Sequence, residues 1–211
     1  MDVTAGDALS RLVEGNARFA SGQTSWKDPA AKLPTLVAGQ HPFATVLCCS
    51  DSRVPPEVVF DQGLGDLFVV RTAGHVVDDA ALGSVECGAL HCGTPLVLVL
   101  GHTRCGAATM ACESGACADD EKGEGYHLEA VVSAFRAALE LVETRRPEAR
   151  GTTKVYHVAK AHVELTKSRL LQASRPLFKA SRAGRMRVAG AIFHLETGRV
   201  EFLNQLGSND A

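Results

Sequence analysis

No apolar run in this sequence is long enough to cross a bilayer. The longest uncharged one, around residues 95–101, falls far short of the ~20 residues a spanning helix needs. No membrane partner is expected. An excess of positive charge is also missing. The 22 Lys and Arg are set against 24 Asp and Glu, for a formal net charge of −2, and no basic stripe stands out. Nucleic-acid binding therefore has no electrostatic support. Residues 1–10 carry Asp2 and Asp7 and lack a basic segment followed by an apolar one, so they do not read as a secretory signal. A cytoplasmic location is expected. Internal repeats and low-complexity tracts are absent too. What remains is ordinary globular composition, 45% hydrophobic and 22% charged, in 211 residues. That is enough for one domain with a sizeable core.

Cysteine is abundant by comparison. There are seven, and an odd number excludes a fully paired disulfide framework. In a reducing compartment, clustered Cys and His more often signal a metal or catalysis.

Residues 4–20 place Ala8, Leu9, Leu12, Val13, Ala17 and Phe19 at roughly helical spacing, with Thr4 or Asp7 available as a cap. Residues 21–34 read as an extended arm. Helix and arm together (1–34) have little local core to pack on, which points to a neighbouring subunit. In residues 35–211, continuous aliphatic runs at 44–49, 67–71, 96–100 and 187–193 suit strands buried on both faces of a parallel sheet. Helical candidates at 55–60, 79–91, 127–143 and 155–173 fall between them. This alternation implies an α/β fold, a mainly parallel sheet flanked by helices with right-handed crossovers. The last run, 189–203, reads as a hairpin ending in an antiparallel edge strand. The acidic, Gly-rich stretch 111–125 reads as a loop within this single domain.

Two clusters follow predicted strands: Cys49-Ser-Asp51-Ser-Arg53 and His102-Thr-Arg-Cys105-Gly106. Open α/β sheets bind ligands at the carboxyl ends of strands, where strand order reverses. Two thiols and an imidazole converging there suit zinc, and three protein ligands leave the open position of a catalytic site. Two thiolates cancel the charge of the ion, so bound water is less acidified than under three imidazoles. Asp51, two residues from a ligand, is placed to assist, and Arg53 can grip its carboxylate with two bonds. Water activated there would attack an electrophilic carbon. A lone His-x-x-Cys arises often by chance, and a buried Cys is usually a small hydrophobe; the pairing of the two clusters carries the reading.

These segments, with Phe60-Asp-Gln-Gly-Leu-Gly-Asp-Leu-Phe-Val-Val-Arg71-Thr-Ala-Gly74 between them, resemble the β-class carbonic anhydrases. The resemblance begins at Glu14-Gly-Asn16-Ala-Arg-Phe19 and resumes at Gly190-Ala-Ile-Phe and Glu196-Thr-Gly-Arg-Val200. It implies one zinc per chain on Cys49, His102 and Cys105, and an Asp51–Arg53 dyad in which Asp51 can close onto zinc as a fourth ligand. It implies a substrate pocket including Gln40, which matches a glutamine of the plant-like branch, Phe68 and Gly106. It also implies reversible hydration of carbon dioxide to bicarbonate, in dimers or tetramers with sites at the subunit interface. Two positions depart from the pattern. Cys87 stands where a pocket tyrosine is common. Val46 stands where bicarbonate-inhibited members have tryptophan, although Arg71 matches their arginine.

The other candidates have plainer readings. Cys48 precedes Cys49 on a strand, faces the other way and belongs to the core. Cys92, Cys112 and Cys117 have no matched role. His75 reads as a surface or interface residue, with proton shuttling the less favoured role. His157 and His162, five apart, read as ordinary helix residues. Two rival functions remain: a hydrolase of carbonyl sulfide or carbon disulfide on the same scaffold, and a non-catalytic, zinc-stabilised binding protein.

Overall fold

A computed structural model of the chain describes residues 3–25, 29–114 and 127–203. Five strands form one sheet: β1 (Ala44–Cys49), β2 (Leu67–Thr72), β3 (Leu96–His102), β4 (Arg187–His194) and β5 (Arg199–Leu203). Their order is β2-β1-β3-β4-β5. The first four are parallel, and β5 runs antiparallel to β4 at the edge. This is the mainly parallel sheet expected from the aliphatic runs. β1 and β3 are buried along their whole length. That is why their sequences are continuous rather than alternating.

Alternate residues of β1 serve different layers. Ala44, Val46 and Cys48 face the core that holds α1 (Ala5–Ala20) and α3 (Pro56–Val59). Leu47 faces the core that holds α4 (Asp79–Glu86), α8 (Gly151–Ala173) and α9 (Arg175–Arg182). Cys49 enters a third cluster with Cys105, Ala108 and Phe135, formed with α5 (Gly106–Ser114), α6 (Leu128–Ser133) and α7 (Arg136–Arg145).

Several expectations are corrected. Helix α1, capped by Thr4 and Asp7 in a reciprocal pair of bonds, does find a core within its own protomer. Ala8 and Leu12 are fully buried there. Asn16 pins the helix: its Nδ2 donates to the carbonyls of Val59 and Gly198, and its Oδ1 accepts from the Val200 N–H. The arm is not extended throughout, because α2 (Pro29–Leu36) occupies its second half, with Leu33 and Val37 exposed. The helical run at 127–143 is broken between α6 and α7, where Phe135 turns inward and is buried. The stretch at 111–125 is not loop from its start: residues up to Ser114 belong to α5, and 115–126, including Cys117, lie outside the described residues. Among the described residues no helix is long and apolar enough to cross a membrane.

Candidate active site

Strand order places the site. From β1 the chain moves to β2 on one side, then crosses over to β3 on the other. The switch point therefore lies between the carboxyl ends of β1 and β3, where loops diverge and leave a crevice. Cys49 ends β1 and His102 ends β3. Cys105 follows from a tight turn in which Arg104 takes a left-handed φ of 53°. The donor atoms of Cys49, His102 and Cys105 lie within 4.8 Å of one another, and all three residues are buried.

The chemistry of this trio fits a divalent metal. His102 Nδ1 donates to the Thr103 carbonyl at 2.9 Å, which fixes the tautomer and leaves Nε2 with its lone pair free. That Nε2 is buried and has no hydrogen-bond partner. Such an atom is costly unless a further ligand meets it. Between the thiols, Cys49 is held well below its ordinary value, first by the hydrogen bond from Cys105 and then by His102 and the backbone N–H groups of Asp51 and Gly74. Cys105 is pushed up by the same pairing and by burial. Two thiols that compete for one negative charge are a site in want of a cation.

Asp51 and Arg53 form the expected pair. Arg53 Nε donates to Oδ1 at 2.9 Å and Nη2 to Oδ2 at 2.7 Å, and the Arg53 N–H adds a third bond at 3.0 Å. The guanidinium holds the Asp51 carboxyl below the usual carboxylate range. Asp51 Oδ2 stands 4.0 Å from His102 Nε2.

Two supports went unassigned in the sequence, and one residue lies elsewhere than expected. Arg71, matched only to an inhibitory site, donates to the carbonyls of Cys49 (3.2 Å) and Asp51 (2.7 Å), and so braces the loop that follows β1. Glu196 accepts from Thr103 Oγ1 (2.8 Å) and Arg104 Nε (2.6 Å), and so pins the turn between His102 and Cys105. His75 is not at the surface: it is fully buried beside His162. Arg71 and Glu196 both lie in segments that resemble the family, but spacing alone cannot show which backbone a long side chain reaches.

The remaining candidates are more dispersed. Gly106 opens α5 directly after Cys105. Phe68 lies on β2, against the backbone of Gly88, where an added Cβ would stand 2.7 Å from its ring. Gln40 is exposed between α2 and β1. Cys48 is fully buried on the opposite side of β1 from Cys49, as expected.

A sheet with this switch point, and a Cys, His and Cys trio that could hold a metal ion, marks the class of an α/β enzyme. Residues 44–200 match the family model described as carbonic anhydrase. The chain is 38% identical over 203 residues to the carbonic anhydrase of Mycolicibacterium smegmatis, covering 95% of this chain and 94% of that one. It is 37% identical over 202 residues to carbonic anhydrase 2 of Mycobacterium tuberculosis, with the same coverage. The fold is similar to that of the β-carbonic anhydrase CafA of Aspergillus fumigatus, at a TM-score of 0.73 and 25% identity over 94% of this chain and 90% of that one. The chain belongs to the carbonic anhydrase family, in its β class, and its reaction is the interconversion of carbon dioxide and bicarbonate.

Proposed function

We propose that the chain hydrates carbon dioxide reversibly with one zinc ion per protomer, held by Cys49, His102 and Cys105. The observation that supports this best is the convergence of three buried donors within 4.8 Å at the strand switch point. Zinc there would supply Lewis-acid activation of water. Thiolate and imidazole donors suit zinc and leave a fourth position open. Asp51 is ionised and stands beside that position, ready to accept a hydrogen bond or a proton from the attacking water. Arg53 keeps the carboxylate aimed by bonding both of its oxygens; released, Asp51 would be free to serve as a conditional fourth ligand to a bound metal. Gln40, Phe68 and Gly106 are the substrate-pocket residues in this reading; Gly106 adjoins Cys105, whereas Gln40 and Phe68 lie away from the trio in the protomer and would join a site across a subunit interface.

Gln40 is exposed within one protomer, as are Leu33 and Val37. That exposure supports a dimer or tetramer in which a second copy covers them. A similar fold occurs in the β-carbonic anhydrases of Sordaria macrospora, described as tetrameric, at a TM-score of 0.72 and 22% identity over 94% of this chain and 98% of that one. A cytoplasmic setting agrees with the unpaired thiols at the site. The deciding experiment is stopped-flow hydration of carbon dioxide with zinc quantified in the same sample and carbonyl sulfide run beside it. Hydration in proportion to bound zinc is expected; faster turnover of carbonyl sulfide would overturn the substrate assignment.

A further inference from the structure

The turn that follows β2 has an unusual backbone. Gly74 adopts φ 61° and ψ 20°, and His75 continues in the left-handed region at φ 46°. The second value is the unusual one, since side chains disfavour it and it persists only where surroundings over-determine it. The turn is tied to β1 as well. The Ser50 N–H donates to the Thr72 carbonyl at 2.9 Å, and Thr72 Oγ1 donates to the Val76 carbonyl at 2.8 Å. Its Gly74 N–H donates to Cys49 Sγ at 3.3 Å. A residue far from the ligands in sequence thus makes a hydrogen bond to a ligand sulfur.

What over-determines His75 is the slot that holds its ring. The imidazole is fully buried. Its centroid lies 4.7 Å from that of His162 on α8 and 6.2 Å, edge-on, from that of Phe135. His162 stacks on Phe135 at 3.9 Å, so the two form one wall. That wall also presses on the turn: a Cβ at Gly74 would stand 2.6 Å from the Phe135 ring. On the sheet side the ring meets Gly101 at ordinary contact range, a Cβ there standing 3.6 Å from His75 Cε1.

We propose that His75 is a positioning residue for the metal site: its ring, locked in the slot of His162 and Phe135, holds the Gly74 N–H on Cys49 Sγ. The inference rests on the reading of Cys49 as a metal ligand. A hydrogen bond to a thiolate withdraws charge from the sulfur and so reduces what it donates to the ion. His75 then sets the donor strength of Cys49 without touching the metal or the substrate.

The test is nuclear magnetic resonance of the chain loaded with cadmium-113 in place of zinc. Hydrogen bonds to a metal-bound sulfur transmit scalar coupling, so the ion should correlate with the Gly74 amide proton in the wild type. In His75→Asn that correlation should vanish, while those from the ion to the β-protons of Cys49 and Cys105 persist. Asn tolerates the left-handed backbone but is too short to fill the slot, so persistence of the Gly74 correlation in this variant would overturn the proposal. Phe135→Leu, which thins the wall and leaves the turn's sequence intact, should weaken the correlation and supplies the comparison if His75→Asn does not fold. A lowered melting temperature alone would mark a merely structural role and count against positioning. A wild-type cadmium signal of a two-sulfur site without a Gly74 correlation sinks this inference alone. Absence of such a signal sinks the metal assignment beneath it.

Discussion

Asp51 Oδ2 lies 4.0 Å from His102 Nε2, with Arg53 holding the carboxylate from the other side. Arg53 bonds both oxygens of the carboxylate, so the pair keeps Asp51 engaged beside the Cys49, His102 and Cys105 donors. Arg53→Ala should free Asp51 to close on the ion, leaving zinc content unchanged and lowering the hydration rate. Asp51→Ala should also keep zinc, and should cost roughly 10²-fold or more in kcat as the proton acceptor is lost. Zinc analysis and stopped-flow rates on both variants check this; an Arg53→Ala enzyme at the wild-type rate across pH would contradict it.

The three proposed ligands are expected to behave differently from the dyad. Cys49→Ser, His102→Ala and Cys105→Ser should each lose zinc or nearly all activity. His102 carries the added penalty that its replacement empties a fully buried position. Metal content measured alongside hydration decides it, and full activity in metal-free Cys49→Ser would defeat the mechanism.

Much of this was legible in the chain. The runs at 44–49 and 96–100 announce buried parallel strands because both faces of β1 and β3 are covered. Cys49, His102 and Cys105 could be singled out because ligand chemistry restricts residue type. The slot around His75 was not legible. Its ring meets Phe135 and His162, which are 60 and 87 positions further along, and no local pattern encodes such a meeting. Helix α1 misled for the converse reason: its apolar face was visible, but the surface awaiting it is assembled from Phe60, Leu98 and Phe193. Arg71 and Glu196 carry charges that look like solvated surface until their backbone and hydroxyl partners are known.

Glu196 makes a pH-dependent prediction. Arg104 first, then its own backbone and Thr103, hold its carboxyl down at about 2, against an ordinary 4.5. A depressed folded-state value means that the stabilisation is present in full above pH ~4.5 and is lost as pH falls toward 2. Glu196→Gln should thus lower the melting temperature at neutral pH, and the gap should narrow steadily as pH falls through that window. The residue is largely exposed, so the effect on stability should be small. The effect on zinc retention should be larger, because the turn between His102 and Cys105 loses its tie. Equal zinc release by variant and wild type under chelator would show that the tie is idle.

Arg71 bears on regulation. Val46 offers no indole N–H, so strong cooperative inhibition by bicarbonate is not expected. Because Arg71 braces the carbonyls of Cys49 and Asp51, Arg71→Ala should lower activity even without bicarbonate. A steep bicarbonate inhibition curve that Arg71→Ala abolishes, with the uninhibited rate intact, would reverse both statements.

Cys87 gives the last prediction. It opens a π-helical turn (Cys87–His91) that continues α4, and its side chain is exposed in the protomer. The next residue, Gly88, packs so tightly on β1 and β2 that an added Cβ would stand 2.3 Å from Thr45 Oγ1 and 2.7 Å from Phe68. That contact fixes the backbone of the turn against Phe68, so whatever stands at 87 is displayed from a rigid mount beside a proposed pocket residue. A tyrosine there brings a broad apolar face and a hydroxyl; cysteine brings little volume and a weak donor. Carbon dioxide should therefore enter freely but be held less well against the attacking water, and poor placement of a reactant slows the chemical step. Cys87→Tyr should raise the hydration rate and weaken inhibition by larger anions. Overpacking a core costs about 1–3 kcal/mol, but an exposed site should change stability by no more than about 0.5 kcal/mol. Kinetics and melting curves on both forms separate the cases: a faster enzyme of unchanged stability supports the pocket role, whereas an unchanged rate with a lowered melting temperature means that position 87 only packs.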